Sequence, residues 1–288
     1  MAAGSSLLEE ARRTFPGCSD LECIQRVAAR VIEDLDERPP ISLEVVASYR
    51  DIVSVRLEPL PFAGSLTPET SGLVMRLNSR DPRGRRRFSG FHEVGHTFQP
   101  GYLQQTLFRC NPQPSNPSSS ANPEQLADVA AAELLLPRRH FESDLSRAER
   151  GWDGVIGLAE NYEASLQATA LRAVQLSDSP MLLVTLEPGF RKSERASLGA
   201  EPKLRVTSSV SNGNFPYIPR NKSAAEGGAL LRALEGEIVE DTTSLLEFDI
   251  PTDRLRVSAR LFPYADDRGE FHQRVMALFW YAGKRSAA

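Results

Sequence analysis

Cysteine is scarce in this chain: three residues, Cys18, Cys23 and Cys110, among 288. The number is odd and no two are spaced as a metal pair, which argues against a disulfide framework and for a reducing compartment. Long apolar runs are missing too. Nothing approaches the roughly 18 apolar residues of a membrane span, and the N-terminus carries Glu9 and Glu10 with no apolar h-region of a signal peptide. A strong charge of either sign is also absent. The net charge of −4, with 25% charged and 41% hydrophobic residues, fits a globular protein and not a surface built throughout for nucleic acid. The expectation is a cytoplasmic protein without membrane spans, long enough for two domains.

Histidine is also rare, four in all, and two of them stand together in Phe91-His92-Glu93-Val94-Gly95-His96. The pattern is H-E-x-x-H. Residues four apart share a helix face, so His92 and His96 can reach one metal ion. Catalytic zinc takes three protein ligands and keeps one position open. Glu93 is then placed to act as general base toward water. By chance the pattern occurs in roughly one chain in a hundred of this length, so the remainder of the site has to be found.

A third ligand is sought downstream. Asn122-Pro123 reads as an N-cap with proline at the first helical position, and Pro137 closes the helix. Two glutamates lie on it. At about 100° per residue, Glu124 and Glu133 face opposite ways. Glu124 shares its face with Asp128, so one carboxylate can bind the metal and the other can accept the second ring N–H of a ligating histidine. Glu124 is therefore the expected ligand and Asp128 its supporting acceptor. Without the upstream histidines, Glu124 would be read as a residue that favours the helix dipole.

The elements around the motif are legible. Residues 1–16 hold a short helix, and Ser19-Asp20-Leu21-Glu22 is a capping box ahead of an amphipathic helix that stops at Pro39-Pro40. Leu43 to Tyr49 reads as a second helix. Val53, Val55 and Leu57 alternate with polar residues as a half-buried strand. A loop with Pro68 and Gly72 leads to a strand at Leu73–Leu77. Arg83-Gly84-Arg85-Arg86-Arg87 reads as a solvated surface turn, with a nucleic-acid patch or a docking site for an acidic segment as other uses. Residues 111–122, rich in Pro and Ser, are expected to be a mobile loop: a flap near substrate or a tolerated insertion.

At this point the sequence resembles the ImmA/IrrE metallopeptidases. The resemblance rests on Arg87-Phe88-Ser89-Gly90-Phe91-His92-Glu93-Val94-Gly95-His96, on the helix from Glu124 to Pro137, and on the segment from Leu158 to Arg172. It covers roughly residues 40–178. It implies a zincin-like core with His92, His96 and Glu124 on zinc and Glu93 as base. It also implies site-specific cleavage of a helix-turn-helix repressor, which releases transcription in stress or mobile-element responses. Asp128 stands where many relatives have asparagine, and the Pro/Ser loop is peculiar to this chain.

Two helices joined at Glu163-Ala164-Ser165 form a helix-turn-helix-like segment. Arg172 is its only basic residue between 152 and 176, too few for phosphate contacts, so packing or substrate docking is favoured over direct DNA binding. Beyond Asp178, strands are expected at Met181–Leu186, Leu204–Thr207, Leu255–Leu261 and Val275–Tyr281, with a helix at Ser223–Ala233. The resemblance places a GAF-like sensor there, with a structural or dimerising module as the other reading. His140 and His272 are lone histidines, expected to be structural, and Asn212-Gly213-Asn214 is a turn without a chemical role.

The sequence reading is thus an α/β (α+β) protein divided into a zinc peptidase core at 1–150, a helical segment at 151–178 and an α+β domain at 179–288. Its cofactor is Zn2+, with Mn2+ as the other candidate in the cell. Its partner is a protein substrate, a transcriptional repressor. The rival is a DNA-associated regulator whose metal site is structural or vestigial.

Overall fold

Two capping boxes begin the chain. Ser6 and Glu9 exchange hydrogen bonds at the start of α1 (Leu7–Thr14), and Ser19 and Glu22 do the same at α2 (Asp20–Leu35). The structure is a computed structural model. It describes residues 6–102, 108–110, 122–191, 193–194, 201–213, 215–252, 254–266 and 269–281. The chain forms two compact units: Met1–Asp144 with Leu158–Thr169, and Leu145–Gly157 with Ala170–Ala288. The helical segment expected at 151–178 therefore contributes to both units.

In the first unit, α3 (Leu43–Tyr49) leads to β1 (Ile52–Glu58), β2 (Gly64–Glu69) and β3 (Gly72–Asn78). Then come α4 (Arg83–His96), β4 (Phe108–Cys110), α5 (Pro123–Leu135) and α6 (Arg138–Arg147). The sheet runs β1-β3-β2-β4; β1 lies parallel to β3, and β2 pairs antiparallel with β3 and β4. Ile24, Leu66, Met75, Phe91, Val94 and Leu134 are all buried in its core.

Three expectations are corrected here. The stretch around Pro68 is strand β2, not loop; Pro68 pairs with Leu73 and sits exposed near the end of the strand, where a missing N–H costs little. The apolar alternation of β1 does not mark a buried face. Val53 and Leu57 are 55% and 58% exposed, because β1 is an edge strand and a bulge lies between Ile52 and Ser54. The arginine run is the first turn of α4 and not a surface turn. Arg83 and Arg87 both reach the Glu163 carboxylate, and Arg87 also donates to the Ile41 carbonyl at 2.7 Å.

Helices α7 (Trp152–Tyr162) and α8 (Leu166–Leu176) follow. Glu163, in the left-handed region at φ 51°, makes the turn between them. In the second unit, β5 (Met181–Gly189), β6 (Lys203–Asn212), β7 (Val239–Thr243), β8 (Leu255–Leu261) and β11 (Val275–Tyr281) form one antiparallel sheet in the order β6-β5-β11-β8-β7. A small hairpin, β9 (Tyr264–Ala265) and β10 (Phe271–His272), stands beside it. The apolar last strand lies mid-sheet, which is why Val275 to Phe279 are all buried. Helix α9 (Ala229–Leu234) packs on β8 and β7 and is shorter than expected. Trp152 is fully buried, its Nε1 donating to the Met276 carbonyl at 3.0 Å and its backbone N–H to Ser258. Each unit mixes helix and strand, so the fold is α+β.

Candidate metal centre

Helix α4 changes character along its length. Its first turns are arginine-rich; from Ser89 to His96 every residue is buried. A helix buried all round must meet partners on more than one face. One partner is α5, which crosses closely enough that a Cβ on Gly95 would lie 3.0 Å from Ala127 Cα and 3.0 Å from Ala130 Cβ. Glycine at 95 lets the two helices approach and brings the last turn of α4 to the first turn of α5.

That crossing collects the residues expected from sequence. His92 Nε2 is 3.1 Å from Glu124 Oε2, His96 Nε2 is 3.1 Å from His92 Nε2, and His96 Nε2 is 3.6 Å from Glu124 Oε1. Three ligands about 2.05 Å from one tetrahedral ion stand about 3.3 Å apart. The observed edges bracket that value, so the donor set fits a shared cation. The two imidazoles stand edge to face, their centroids 4.8 Å apart.

Protonation favours the same use. Burial, reinforced by the neighbouring His92, pushes His96 down to about 4, so it is neutral at pH 7. The hydrogen bond from His92 holds the Glu124 carboxyl below its usual range, against the opposing effect of partial burial. A neutral imidazole and an ionised carboxylate are the forms that bind metal.

His92 Nδ1 lies 2.8 Å from Asp128 Oδ1. Once a cation takes the place of the Nε2–H contact to Glu124, Nδ1–H donating to the Asp128 carboxylate leaves the Nε2 lone pair pointing at the centre. Glu93 has no exposed surface, and a Cβ on Gly64, at the start of β2, would come within 3.4 Å of its Oε1. Glu133 lies elsewhere on α5. It is 2% exposed and accepts from Gln25 Nε2 and the Arg138 backbone N–H, a structural arrangement. Of the Pro/Ser stretch at 111–122, all but Asn122 lies outside the described residues.

Sequence reasoning passed over two features. Asp266, Glu270 and His272 bring their ligand atoms within 4.8 Å of one another. They belong to the turn of the β9–β10 hairpin, whose own hydrogen bonds account for the gathering: Asp266 Oδ1 accepts from the Glu270 N–H at 2.9 Å. The spacing Asp-x-x-x-Glu-x-His was the available signal. Gln99, 7% exposed at the end of α4, donates to the Pro123 carbonyl at 2.8 Å. No local pattern marks it.

Residues 47–174 match the family Peptidase M78, described as the IrrE N-terminal-like domain. Residues 47–174 are thus similar to an IrrE N-terminal-like domain. Both halves of the candidate centre, α4 and α5, fall inside the matched span, while α1, α2 and most of the second unit lie beyond it. The family is one of metallopeptidases and IrrE-like regulators, and the mixed helix-and-strand core of the IrrE N-terminal-like domain is zincin-like. No curated protein matches the chain. Among solved structures, a Mycobacterium tuberculosis transcriptional regulator matches with a TM-score of 0.58 at 14% identity, over 95% of this chain and 81% of that one. At that identity the likeness concerns fold alone. Among the described residues, no helix is long and apolar enough to cross a membrane.

Proposed function

We propose that this protein is a zinc-dependent endopeptidase that cuts a protein substrate, a helix-turn-helix transcriptional repressor, and thereby induces a stress or mobile-element response. The observation that carries the chemistry is the triangle of His92, His96 and Glu124, with Asp128 behind His92. Two imidazoles and one carboxylate suit zinc better than manganese, which prefers an oxygen-rich set.

His92 Nε2, His96 Nε2 and the Glu124 carboxylate would hold the ion. When bound, zinc supplies Lewis acidity toward water and the scissile carbonyl. Glu93 takes the proton of the attacking water and returns it to the leaving amine nitrogen. Asp128 fixes the tautomer and ring plane of His92. Glycine at 64 keeps a side chain from crowding the Glu93 carboxylate, whose Oε1 a Cβ there would approach to 3.4 Å.

The repressor as substrate rests on the resemblance to the ImmA/IrrE metallopeptidases. Direct reading of DNA by α7 and α8 is disfavoured, because Arg172 is buried at 6% exposure and offers no cation to a phosphate. The test is incubation of the zinc-loaded protein with candidate repressors, reading new N-termini by mass spectrometry. Cleavage at one site, lost in Glu93→Gln while metal is retained, is the expected result. Cleavage unaffected by Glu93→Gln removes the mechanism, and a regulator that works by binding alone would be indifferent to the substitution.

A further inference from the structure

Glu124 is an awkward ligand to hold in place. Its side chain is 49% exposed, so packing immobilises little of it. Its helix is separated from α4 in the chain by residues 97–122, so bringing the two together carries a loop-closure cost. Glu124 must therefore be positioned through its backbone. On one side, Asn122 caps α5 and its Oδ1 accepts from the Glu124 N–H at 3.2 Å. That bond fixes the first turn internally but does not tie it to the histidines.

Besides the Asp128 contact to His92 and the close approach at Gly95, a further tie at the very start of α5 comes from Gln99. The three residues after His96 are all buried: Thr97, Phe98 and Gln99. They are held from several sides. Arg50 donates to Thr97 Oγ1 and to the Thr97 carbonyl, each at 3.0 Å. The Leu8 N–H donates to the Phe98 carbonyl at 3.0 Å, and the Gln99 N–H donates to the His96 carbonyl at 3.2 Å. From this anchored segment the Gln99 amide crosses to the Pro123 carbonyl at 2.8 Å. Pro123 is the first residue of α5 and the immediate neighbour of Glu124. A carbonyl oxygen has two lone pairs, so Pro123 can accept this bond and still serve the helix.

We propose that Gln99 is the positioning residue of the third metal ligand: its amide locks the first turn of α5 to the end of α4 and so sets the distance of Glu124 from His92 and His96. The assignment rests on the metal reading of the site. Gln99 touches neither metal nor substrate; it acts through Pro123. Its removal should leave the two histidines where they are and let the Glu124 end of the triangle drift.

The experiment compares wild type, Gln99→Met, Gln99→Asn and Glu124→Ala, each loaded with Co2+ for spectroscopy and with Zn2+ for chelator competition. Methionine keeps the length without a donor; asparagine keeps the amide but is one methylene too short. Both variants should bind zinc at least about 10-fold more weakly, the loss typical of a supporting hydrogen bond around a metal. The visible d–d bands of their cobalt forms should move toward those of Glu124→Ala. Melting of the metal-free proteins shows that each variant is folded, and a purely structural glutamine would lower that melting point without moving the cobalt bands. Wild-type zinc affinity and cobalt bands in both variants would overturn the proposal while leaving the metal site intact. A wild type that binds neither ion would overturn the metal reading, and the proposal with it.

Discussion

The closeness of α4 and α5 at Gly95 can be tested by one methyl group. In Gly95→Ala the new Cβ would lie 3.0 Å from Ala127 Cα, 3.0 Å from the Ala127 carbonyl oxygen and 3.0 Å from Ala130 Cβ. Comfortable carbon contacts are about 3.5–4.0 Å, and two of these neighbours are backbone, which cannot swing aside. The helices must give way by a few tenths of an ångström. A metal site tolerates about 0.2 Å in its ligand distances, so Glu124 would be drawn out of a triangle whose edges are 3.1, 3.1 and 3.6 Å. Zinc affinity should fall at least about 10-fold, equivalent to about 1.4 kcal/mol. Stability of the metal-free protein should change less distinctly. Overpacking costs about 1–3 kcal/mol, while alanine recovers up to about 1 kcal/mol of helix propensity over glycine. Gly157→Ala is the matched control: it is exposed on α7, and its Cβ would meet nothing within 4 Å. It should stabilise by about 0.5–1 kcal/mol and leave zinc affinity alone. The assays are chelator competition and urea unfolding. A Gly95→Ala protein with zinc affinity within about twofold of wild type would refute the argument that this contact sets the site.

Asp128→Ala should weaken zinc binding about 10- to 100-fold with little effect on metal-free stability, and Asp128→Asn should lose much less, because its carbonyl oxygen still accepts from His92 Nδ1. Acid should destabilise the metal-free protein. His96 titrates at about 4 when folded against 6.5 for the free side chain, so between these values the unfolded chain binds a proton that the folded one refuses. Stability is therefore lost as pH falls from 6.5 to 4, by about 3 kcal/mol at most. The lowered carboxyl of Glu124 acts in the same direction at the acid end. Urea midpoints recorded in chelator across that range should fall steadily, and much less steeply in His96→Gln.

The core of the site was legible because its geometry is local. H-E-x-x-H at helical spacing places two imidazoles on one face, and Glu124 with Asp128 repeats that spacing on α5. Asn122 and Pro123 announced where α5 begins, and the capping box at Ser19 did the same for α2. What stayed hidden depends on tertiary placement. β2 carries Pro68, and β7 reads Val-Glu-Asp-Thr-Thr, so neither shows the apolar alternation of a strand; they are strands because of their neighbours. In β1 the alternation was real but its burial was not, since sequence does not say which strand is at the edge. The arginine run looked solvated because its partners, Glu163 and the Ile41 carbonyl, are remote in the chain. Gln99 was invisible for the same reason: its partner Pro123 is 24 residues away.

The most direct measurement is the metal content of purified protein, comparing wild type with His92→Ala, Glu124→Ala and Glu93→Gln. About one zinc per chain in wild type and in Glu93→Gln, with little in His92→Ala and Glu124→Ala, is the predicted result. Zinc absent from the wild type, or retained in full without Glu124, would contradict the three-ligand centre on which the peptidase reading stands.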